Sequence, residues 1–531
     1  MKKLTVVFIA GTDYENLGIG YMSAILSESG IETKVVDFRK RKADILKIIK
    51  KIDPLLVGFS ILFLNHIEQF IDLVCYLRKG GIRCHFTAGG HYASLKSEEL
   101  FKLIPWIDSI VRFEGEYTLP ELVKCINSGS DWKKIESLAY LENGKIVFNS
   151  LRPLEKDLDT FPFPLRSSLK NFAFKKKFAT IIAGRGCIYE CSFCNTRKFY
   201  SFPHGPVKRI RKPEMVVKEM EHLNKTNQCS VFLFQDDDFP VESKLQPDWV
   251  DRFCNELERT ALSKRVIWKI NCRPDEVEKE TFSMMKSHGL FNVFLGIEDG
   301  TDIGLKTLNK LLTVKRTMKA INIIKKLGIG FEYGFILFQP LTTYRTLNEN
   351  LDFLKVICGD GYTTVPFQKL IPLYETEVEK ELIETGRLKV SDGVKDYDFL
   401  EESMNHYYEF VFSCFTEWMR GPEGVENISK WAGNYFSVYM HFFDVQPEGM
   451  NYFRKVRRVI SESNLFLLDT LKELAMIFET KQYKYDKNHL LKKYRENIRS
   501  KHQYFRNKII TTMAELVSIV EHQQKLQSVS G

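Results

Sequence analysis

Three cysteines in one short loop, Cys187, Cys191 and Cys194, carry the strongest chemical signal in this sequence. They stand in Gly184-Arg185-Gly186-Cys187-Ile188-Tyr189-Glu190-Cys191-Ser192-Phe193-Cys194, at spacings of four and three, directly after an apolar, β-rich run. Thiolates are the usual ligands of iron–sulfur cubanes, and a glycine-opened loop can wrap one compact cluster. A structural zinc site would call for a fourth ligand, yet the next cysteine, Cys229, lies in the approach to another strand. Three thiolates on a four-iron cluster leave one iron open to a substrate.

The surrounding elements must place that loop. From Phe178 to about Glu377, strand candidates occur at Phe178–Ile182, Ser230–Phe234, Val266–Ile270, Phe291–Gly296, Gly334–Phe338 and Val365–Leu370. Amphipathic helical stretches lie between them, including Pro213–Leu223, Trp249–Thr260, Lys279–Ser287, Val314–Leu327 and Leu347–Val356. Strand-then-helix units of this kind predict a parallel barrel, closed or partly closed, with its chemistry at the strands' carboxyl ends. The cysteine loop follows the first of these strands.

Ahead of it, short apolar runs at Leu4–Ile9, Thr33–Val36, Leu55–Phe59, Cys84–Thr87 and Ser109–Val111 alternate with helix-length segments. That pattern predicts a doubly wound parallel sheet, whose ligands bind outside the strands' carboxyl ends. The loops there are Gly11–Gly18, Ser60–Asn65 and Gly89–Ser94. Gly89-Gly90 allows close backbone approach to a ligand and serves a tight turn equally well. The expected divisions are a Rossmann-like domain over 1–150, a proline-containing linker over 151–177, the barrel over 178–390 and a helical domain over 391–531.

At 531 residues the chain calls for two or three domains. Its formal charge of +9 owes much to the stretch from Lys481 to Lys508. No stacking or groove-reading motif accompanies that stretch, so it reads as a solvated helix face and nucleic acid is not expected as a partner. No segment approaches the roughly 18 apolar residues of a membrane span. The start, MKKLTVVFIAGTDYE, reads as a buried strand rather than a leader, because Asp13 and Glu15 stand where a cleavage site would need small residues. Eleven cysteines then fit a cytoplasmic protein that binds metal or buries thiols. The late aromatic residues, such as Tyr407-Tyr408 and those of Trp431 to Phe443, read as helical core.

The cysteine spacing, with Phe193 just before the last cysteine, resembles the radical S-adenosylmethionine (SAM) superfamily. The resemblance covers about two hundred residues and implies a partial (β/α)6 barrel, a 4Fe-4S cluster on Cys187, Cys191 and Cys194, and SAM at the open iron. Asp236 and Asp237, in Gln235-Asp236-Asp237-Asp238-Phe239, resemble the strand-end groups that meet the methionyl amine; a loop-capping cluster is the other reading. Glu298, in the segment FNVFLGIEDG, resembles the glutamate that accepts from the ribose hydroxyls. Thr301 to Lys310 resembles the helix opening that follows it, and Arg273 reads as a carboxylate partner or a structural salt bridge. Gln339 stands where the family often has glycine, which puts a glycine-dependent SAM contact in doubt.

The preceding domain is similar to the cobalamin-binding branch of that superfamily, through Leu17-Gly18 to Ala24, Val57-Gly58-Phe59-Ser60, Gly89-Gly90-His91 and Glu114-Gly115-Glu116. The resemblance implies cobalamin beside Gly18, Ser60, Gly89 and Gly90. The Asp-x-His-x-x-Gly signature is absent, so no histidine is expected on cobalt and His91 reads as a loop residue. The two resemblances together imply a cobalamin-dependent methyltransferase acting on an unactivated carbon of a small-molecule or peptide substrate. A 5′-deoxyadenosyl radical would abstract hydrogen and methylcobalamin, seated between the domains, would deliver the methyl group. An electron donor such as flavodoxin or ferredoxin would reduce the cluster. The alternatives are a radical cyclase, rearrangement or oxidation enzyme that transfers no methyl group, and an RNA- or peptide-modifying enzyme that recognises its substrate through the basic C-terminal helices. No residue is assigned the catalytic step itself.

Overall fold

The computed structural model describes residues 4–13, 15–63, 66–166, 169–241, 246–391, 393–482 and 487–530. The chain divides into two compact units. One comprises Met1–Leu169, Ala179–Met215 and Ile371–Asp396, the other Lys170–Phe178, Val216–Leu370 and Tyr397–Gly531.

The first unit is built on a seven-stranded sheet of β1 (Thr5–Ala10), β2 (Glu32–Asp37), β3 (Leu56–Ser60), β4 (His85–Gly89), β5 (Ser109–Val111), β6 (Leu138–Glu142) and β7 (Lys145–Phe148), in the order β2-β1-β3-β4-β5-β6-β7. The first five pair in parallel, while β6 and β7 add antiparallel. Helices α1 (Leu17–Glu28), α2 (Lys42–Ile52), α3 (Ile67–Lys79), α4 (His91–Leu95), α5 (Ser97–Leu103) and α6 (Thr118–Ser128) connect them. Side chains of a strand alternate between its faces. Val7 and Ile9 therefore enter one buried cluster with Val57, Phe59 and Phe86, and Val6, Phe8 and Ala10 a second with Leu56 and Leu122. Two apolar faces on one strand are what a doubly wound sheet requires. The β6–β7 hairpin is absent from the sequence-based expectation. Its turn, Asn143-Gly144, holds both residues at positive φ (50° and 75°), as a two-residue hairpin loop demands.

The cysteine loop belongs to this unit. After β8 (Lys177–Ile181), the two-residue strand β9 (Gly184–Arg185) leads into it; α7 (Thr196–Ser201) follows, and the chain returns through β10 (Arg209–Ile210), antiparallel to β9. Gly184 and Gly186 are there because the backbones nearly touch. A Cβ on Gly184 would lie 2.5 Å from the Arg209 carbonyl oxygen, and one on Gly186, whose φ is +82°, 1.7 Å from that of Val207.

In the second unit, α8 (Pro213–Asn227), β11 (Cys229–Phe234), α9 (Trp249–Arg259), β12 (Ile267–Cys272), α10 (Lys279–Ser287), β13 (Leu290–Glu298), α11 (Asp302–Thr307), α12 (Val314–Leu327), β14 (Gly330–Phe335) and α13 (Tyr344–Cys358) succeed one another. β11, β12, β13 and β14 are parallel neighbours in that order. The strand expected at Gly334–Phe338 begins at Gly330, because Glu332 has a partner inside the sheet: Lys269 Nζ lies 2.8 Å from its Oε1. The segment expected as a sixth strand, Val365–Leu370, makes one parallel bridge, Phe338 to Lys369. Helix α14 (Glu377–Glu384) returns to the first unit. The chain then ends in α15 (Glu402–Met419), α16 (Val425–Phe442), α17 (Pro447–Glu479) and α18 (Lys487–Ser530). Tyr407, Tyr439 and Tyr452 are fully buried among these helices, as core aromatics should be. In α18, Ile498, Phe505, Ile509, Leu516 and Val520 form one buried stripe, and Lys492, Lys493, Arg499 and Lys501 lie outside it. Among the described residues no helix is long and apolar enough to cross a membrane.

The contact at Gly186 predicts that Gly186→Ala opens the β9–β10 ribbon, with backbone strain alone costing about 1–3 kcal/mol. Chemical denaturation should show the loss, and hydrogen exchange at residues 207–210 should accelerate; unchanged exchange there would contradict the geometry.

Candidate active site

None of the three cysteines is in a disulfide, and the loop that carries them is sewn to its own flanks. Cys187 and Cys191 are half-buried and Cys194 is exposed. The Cys194 amide donates to the Cys191 carbonyl (3.1 Å), which closes a turn around Ser192 and Phe193. From α7, Arg197 reaches back to the Ile188 carbonyl (2.5 Å) and the Glu190 carboxylate (2.8 Å). The Val378 amide, in the first turn of α14, donates to the Ser192 carbonyl (3.2 Å). Phe193 is half-buried beside the thiols. Among the described residues no three His, Cys, Asp or Glu side chains are disposed to hold a single metal ion. A cubane asks for something different, since each thiolate meets its own iron. Three cysteines outside any disulfide, carried on one tethered loop, fit that group.

The ribbon at the base of the loop is fixed by charge. Arg185 Nη1 lies 2.9 Å from Glu114 Oε1, and Arg185 Nη2 2.6 Å from Glu116 Oε1. Arg209 grips both oxygens of Glu114, through Nη2 to Oε1 (2.8 Å) and Nη1 to Oε2 (2.9 Å). Glu116 and Arg209 are buried, and Arg185 and Glu114 keep only 12% and 14% of their side chains exposed. Burial works against the Glu114 carboxylate, but the two guanidiniums outweigh it and hold the group below its ordinary range. Burial likewise opposes the Arg185 charge, and Glu116 and Glu114 more than restore it. A further tether lies upstream, where Glu15 accepts from the Thr180 amide (2.6 Å) and hydroxyl (3.1 Å) and pairs with Arg166 (3.0 Å).

The candidate cobalamin residues all lie at the carboxyl edge of the first sheet. In the order β2-β1-β3 the chain reverses direction of growth between β1 and β3, and ligands of such sheets bind at that switch point. Asn16 and Ser60 face one another across it, Asn16 Nδ2 donating to Ser60 Oγ at 3.3 Å. Asn16 also caps α1 by accepting from the Ile19 amide (3.1 Å), and Gly18 is exposed in the first turn. Gly89 ends β4, and Gly90 (φ +108°) passes so close to Ile61 that a Cβ would lie 2.8 Å from its carbonyl oxygen. Residues 64 and 65 of the Ser60–Asn65 loop lie outside the described residues. Leu62 and Phe63, just after Ser60, are exposed and apolar. A glycine-lined edge with an exposed apolar turn fits the broad, largely apolar face of a corrinoid. The His91 ring stacks flat on Phe199 of α7, 3.9 Å between centroids and 4° between planes. It thereby packs the cysteine-loop segment against the sheet edge.

In the second unit, Glu298 ends β13 in a left-handed conformation (φ +67°) at a break in register with β14. Its carboxylate lies between two glycines: a Cβ on Gly334 would meet Oε2 at 2.8 Å, and one on Gly296 would meet Oε1 at 3.2 Å. Buried Lys310 approaches Oε1 at 3.5 Å. Next to it, buried Asp299 accepts from the Thr301 amide (2.7 Å) and hydroxyl (2.8 Å), from Gln339 (2.5 Å) and from Asn350 (3.3 Å). Burial raises its pKa against those four donors. Gln339, which stands where glycine was looked for, thus braces the turn that presents Glu298. Asp236 is buried and Asp237 exposed at the end of β11. Asn271 steadies them by donating to the Asp236 carbonyl (3.2 Å), and Phe239 anchors the turn in a cluster with Phe234 and Trp249. Arg273 is structural: it pairs with Asp275 (2.9 Å) and donates to the Lys310 carbonyl (2.5 Å). An apolar hollow of about 340 Å³, lined by Phe172, Ile428, Trp431, Tyr435, Ile510 and Met513, adjoins the cluster at the amino ends of these strands, away from the carboxyl ends that present Glu298 and Asp237.

Sequence reasoning missed Lys310, Asp299, Asn16 and the pairing of Glu114 and Glu116 with Arg185 and Arg209. The residues were in view, but partners such as Glu298 for Lys310 and Arg209 for Glu114 lie 12 and 95 positions away.

Comparison with known proteins bears on the family and the fold. Residues 4–123 match the B12 binding domain family and residues 181–354 the Radical SAM superfamily. An uncharacterized methyltransferase of Pyrococcus horikoshii is 28% identical over 354 residues, 65% of this chain and 74% of that protein. The anaerobic magnesium-protoporphyrin IX monomethyl ester cyclase of Rubrivivax gelatinosus is 29% identical over 356 residues, and the alignment spans 61% of this chain and 60% of the cyclase. Among solved structures, the cobalamin-dependent S-adenosylmethionine radical enzyme OxsB superposes with a TM-score of 0.68 at 17% identity, covering 98% of this chain and 80% of OxsB. At that identity the likeness speaks to fold. With a B12-binding domain followed by a radical SAM domain, this chain belongs to the radical SAM superfamily, in the branch that carries a B12-binding domain, and is a radical SAM enzyme.

Proposed function

We propose that the protein is a cobalamin-dependent radical SAM methyltransferase acting on an unactivated carbon of a small-molecule or peptide substrate. The observation that supports it best is that one compact unit holds both the thiol loop and the carboxyl edge of the B12-binding sheet. Cys187, Cys191 and Cys194 ligate the 4Fe-4S cluster, with Phe193 packing beside it. When bound, the cluster and SAM supply a 5′-deoxyadenosyl radical and methylcobalamin supplies a methyl group.

The protein's own residues bind, orient and shield. Glu298, pinned by Lys310 and the narrow walls of Gly296 and Gly334, accepts from the vicinal ribose hydroxyls of SAM. Asp236 and Asp237 meet the methionyl ammonium, a cation that suits carboxylates. Gly18, Ser60, Gly89 and Gly90 would line the corrinoid, and no histidine is expected on its cobalt. An electron donor of the flavodoxin or ferredoxin kind reduces the cluster, and the eleven cysteines suit the reducing cytoplasm. The likeness to a cyclase keeps one second reading, radical ring closure without methyl transfer.

Anaerobic reconstitution tests these roles. Joint replacement of Cys187, Cys191 and Cys194 by alanine should abolish the brown chromophore and all SAM cleavage; cleavage that survives would sink the enzymatic assignment. Glu298→Gln should weaken SAM binding by about ten- to a hundredfold, the loss of a charge-assisted hydrogen-bond pair, while leaving cluster iron content unchanged. In the cob(II)alamin form, His91→Ala should leave the electron paramagnetic resonance (EPR) spectrum as in wild type, free of imidazole nitrogen splitting. With substrate present, S-adenosylhomocysteine should accompany 5′-deoxyadenosine; 5′-deoxyadenosine alone would favour the cyclase reading.

A further inference from the structure

We infer that Arg185 and Arg209 are positioning residues, which with Glu114 and Glu116 form a buried clamp setting where the cysteine loop stands on the B12-binding domain. The inference rests on the proposed cofactors and adds a device that fixes their separation.

Three observations carry it. The first is topological: residues 187–208 leave and return through the β9–β10 ribbon, so whatever holds the ribbon holds the loop. Arg185 and Arg209 are direct partners in that ribbon, and both guanidiniums converge on Glu114. The second is location. Glu114 and Glu116 follow β5 at the carboxyl edge of the sheet, the edge at which such domains bind ligands. The clamp therefore ties the loop to the corrinoid side of the domain, and Arg209 Nη1 adds one bond to the Glu155 carbonyl (2.8 Å). The third is the kind of contact. Tyr21, Phe161 and Tyr200 already pack against the two guanidiniums, with 5.1 to 5.6 Å from guanidinium carbon to ring centroid. A buried ion pair adds little stability beyond what apolar side chains of similar volume would give. A planar fork against two carboxylate oxygens adds direction instead, because it is satisfied in one register. The His91–Phe199 stack holds the far side of the same excursion to the same edge.

Two variants separate positioning from folding. Arg209→Lys keeps the charge and loses the fork. The double variant Glu114→Leu with Arg209→Met removes one pair and leaves Arg185 balanced by Glu116. The reconstituted holoprotein, with cob(II)alamin and the reduced cluster, is examined by EPR power saturation, since a fast-relaxing cluster nearby raises the power needed to saturate the corrinoid signal. At wild-type iron and corrinoid content, both variants should show a severalfold lower half-saturation power, with SAM cleavage in the absence of substrate close to wild type. Wild-type half-saturation power in both would overturn the inference. Hydrogen exchange on the cofactor-free proteins supplies an independent reading. Segment 187–208 should exchange severalfold faster in Arg209→Lys while residues 56–60 stay protected, and equal exchange would overturn the clamp. Wild-type protein that takes up neither cluster nor corrinoid would instead refute the proposed function, with the exchange data still deciding on the clamp.

Discussion

The contact on which the rest of the first unit depends is the buried meeting of Arg185 and Arg209 with Glu114. A loop of three thiols cannot fold around a cluster it does not yet hold, so its ends must be fixed by something else. The ribbon supplies that through two glycines that let the backbones touch and two arginines that anchor it to the sheet. Removing one partner of such a buried set would leave an uncompensated charge, a cost of about 3–5 kcal/mol. That cost makes the arrangement all or none. The loop is either seated on the edge of the B12-binding sheet or the whole corner is disturbed.

The same logic recurs, with different means, at Glu298. A glutamate at φ +67° carries backbone strain that only a well-braced surrounding sustains. Lys310 faces its carboxylate, while Asp299 ties the following turn to Thr301, Gln339 and Asn350. Two glycines, Gly296 and Gly334, leave room for the carboxylate that a Cβ would crowd. Both sites therefore combine close glycine approach with buried charge. A glycine brings backbones or a side chain nearer than any other residue allows, and the charge then selects one orientation.

Much of this was legible in the sequence because its signals are local. The cysteine spacing, the strand–helix alternation, the position of Glu298 at a strand end and the glycine turn at 89–90 each occupy a few consecutive residues. Where the reading slipped, a long-range partner decided the outcome. Strand β14 begins four residues before the expected Gly334, and Glu332 within it is paired by Lys269 on the neighbouring strand. Gln339 looked like a defect in a glycine motif until Asp299 accepted its amide. Glu114-Gly115-Glu116 resembled a family stretch without revealing a task, because Arg185 and Arg209 lie 71 and 95 positions on. The hairpin at Asn143-Gly144 is the exception, since its turn signal lies in two adjacent residues.

The central claim is that three thiolates hold a cubane and leave one iron for SAM. Mössbauer spectroscopy of protein reconstituted anaerobically with iron-57 and sulfide tests it directly. The account predicts a 4Fe-4S spectrum in which one iron site changes its isomer shift and quadrupole splitting when SAM is added, while the other sites stay as they were. A cluster whose irons are all indifferent to SAM, or a protein that assembles no cubane, would contradict it.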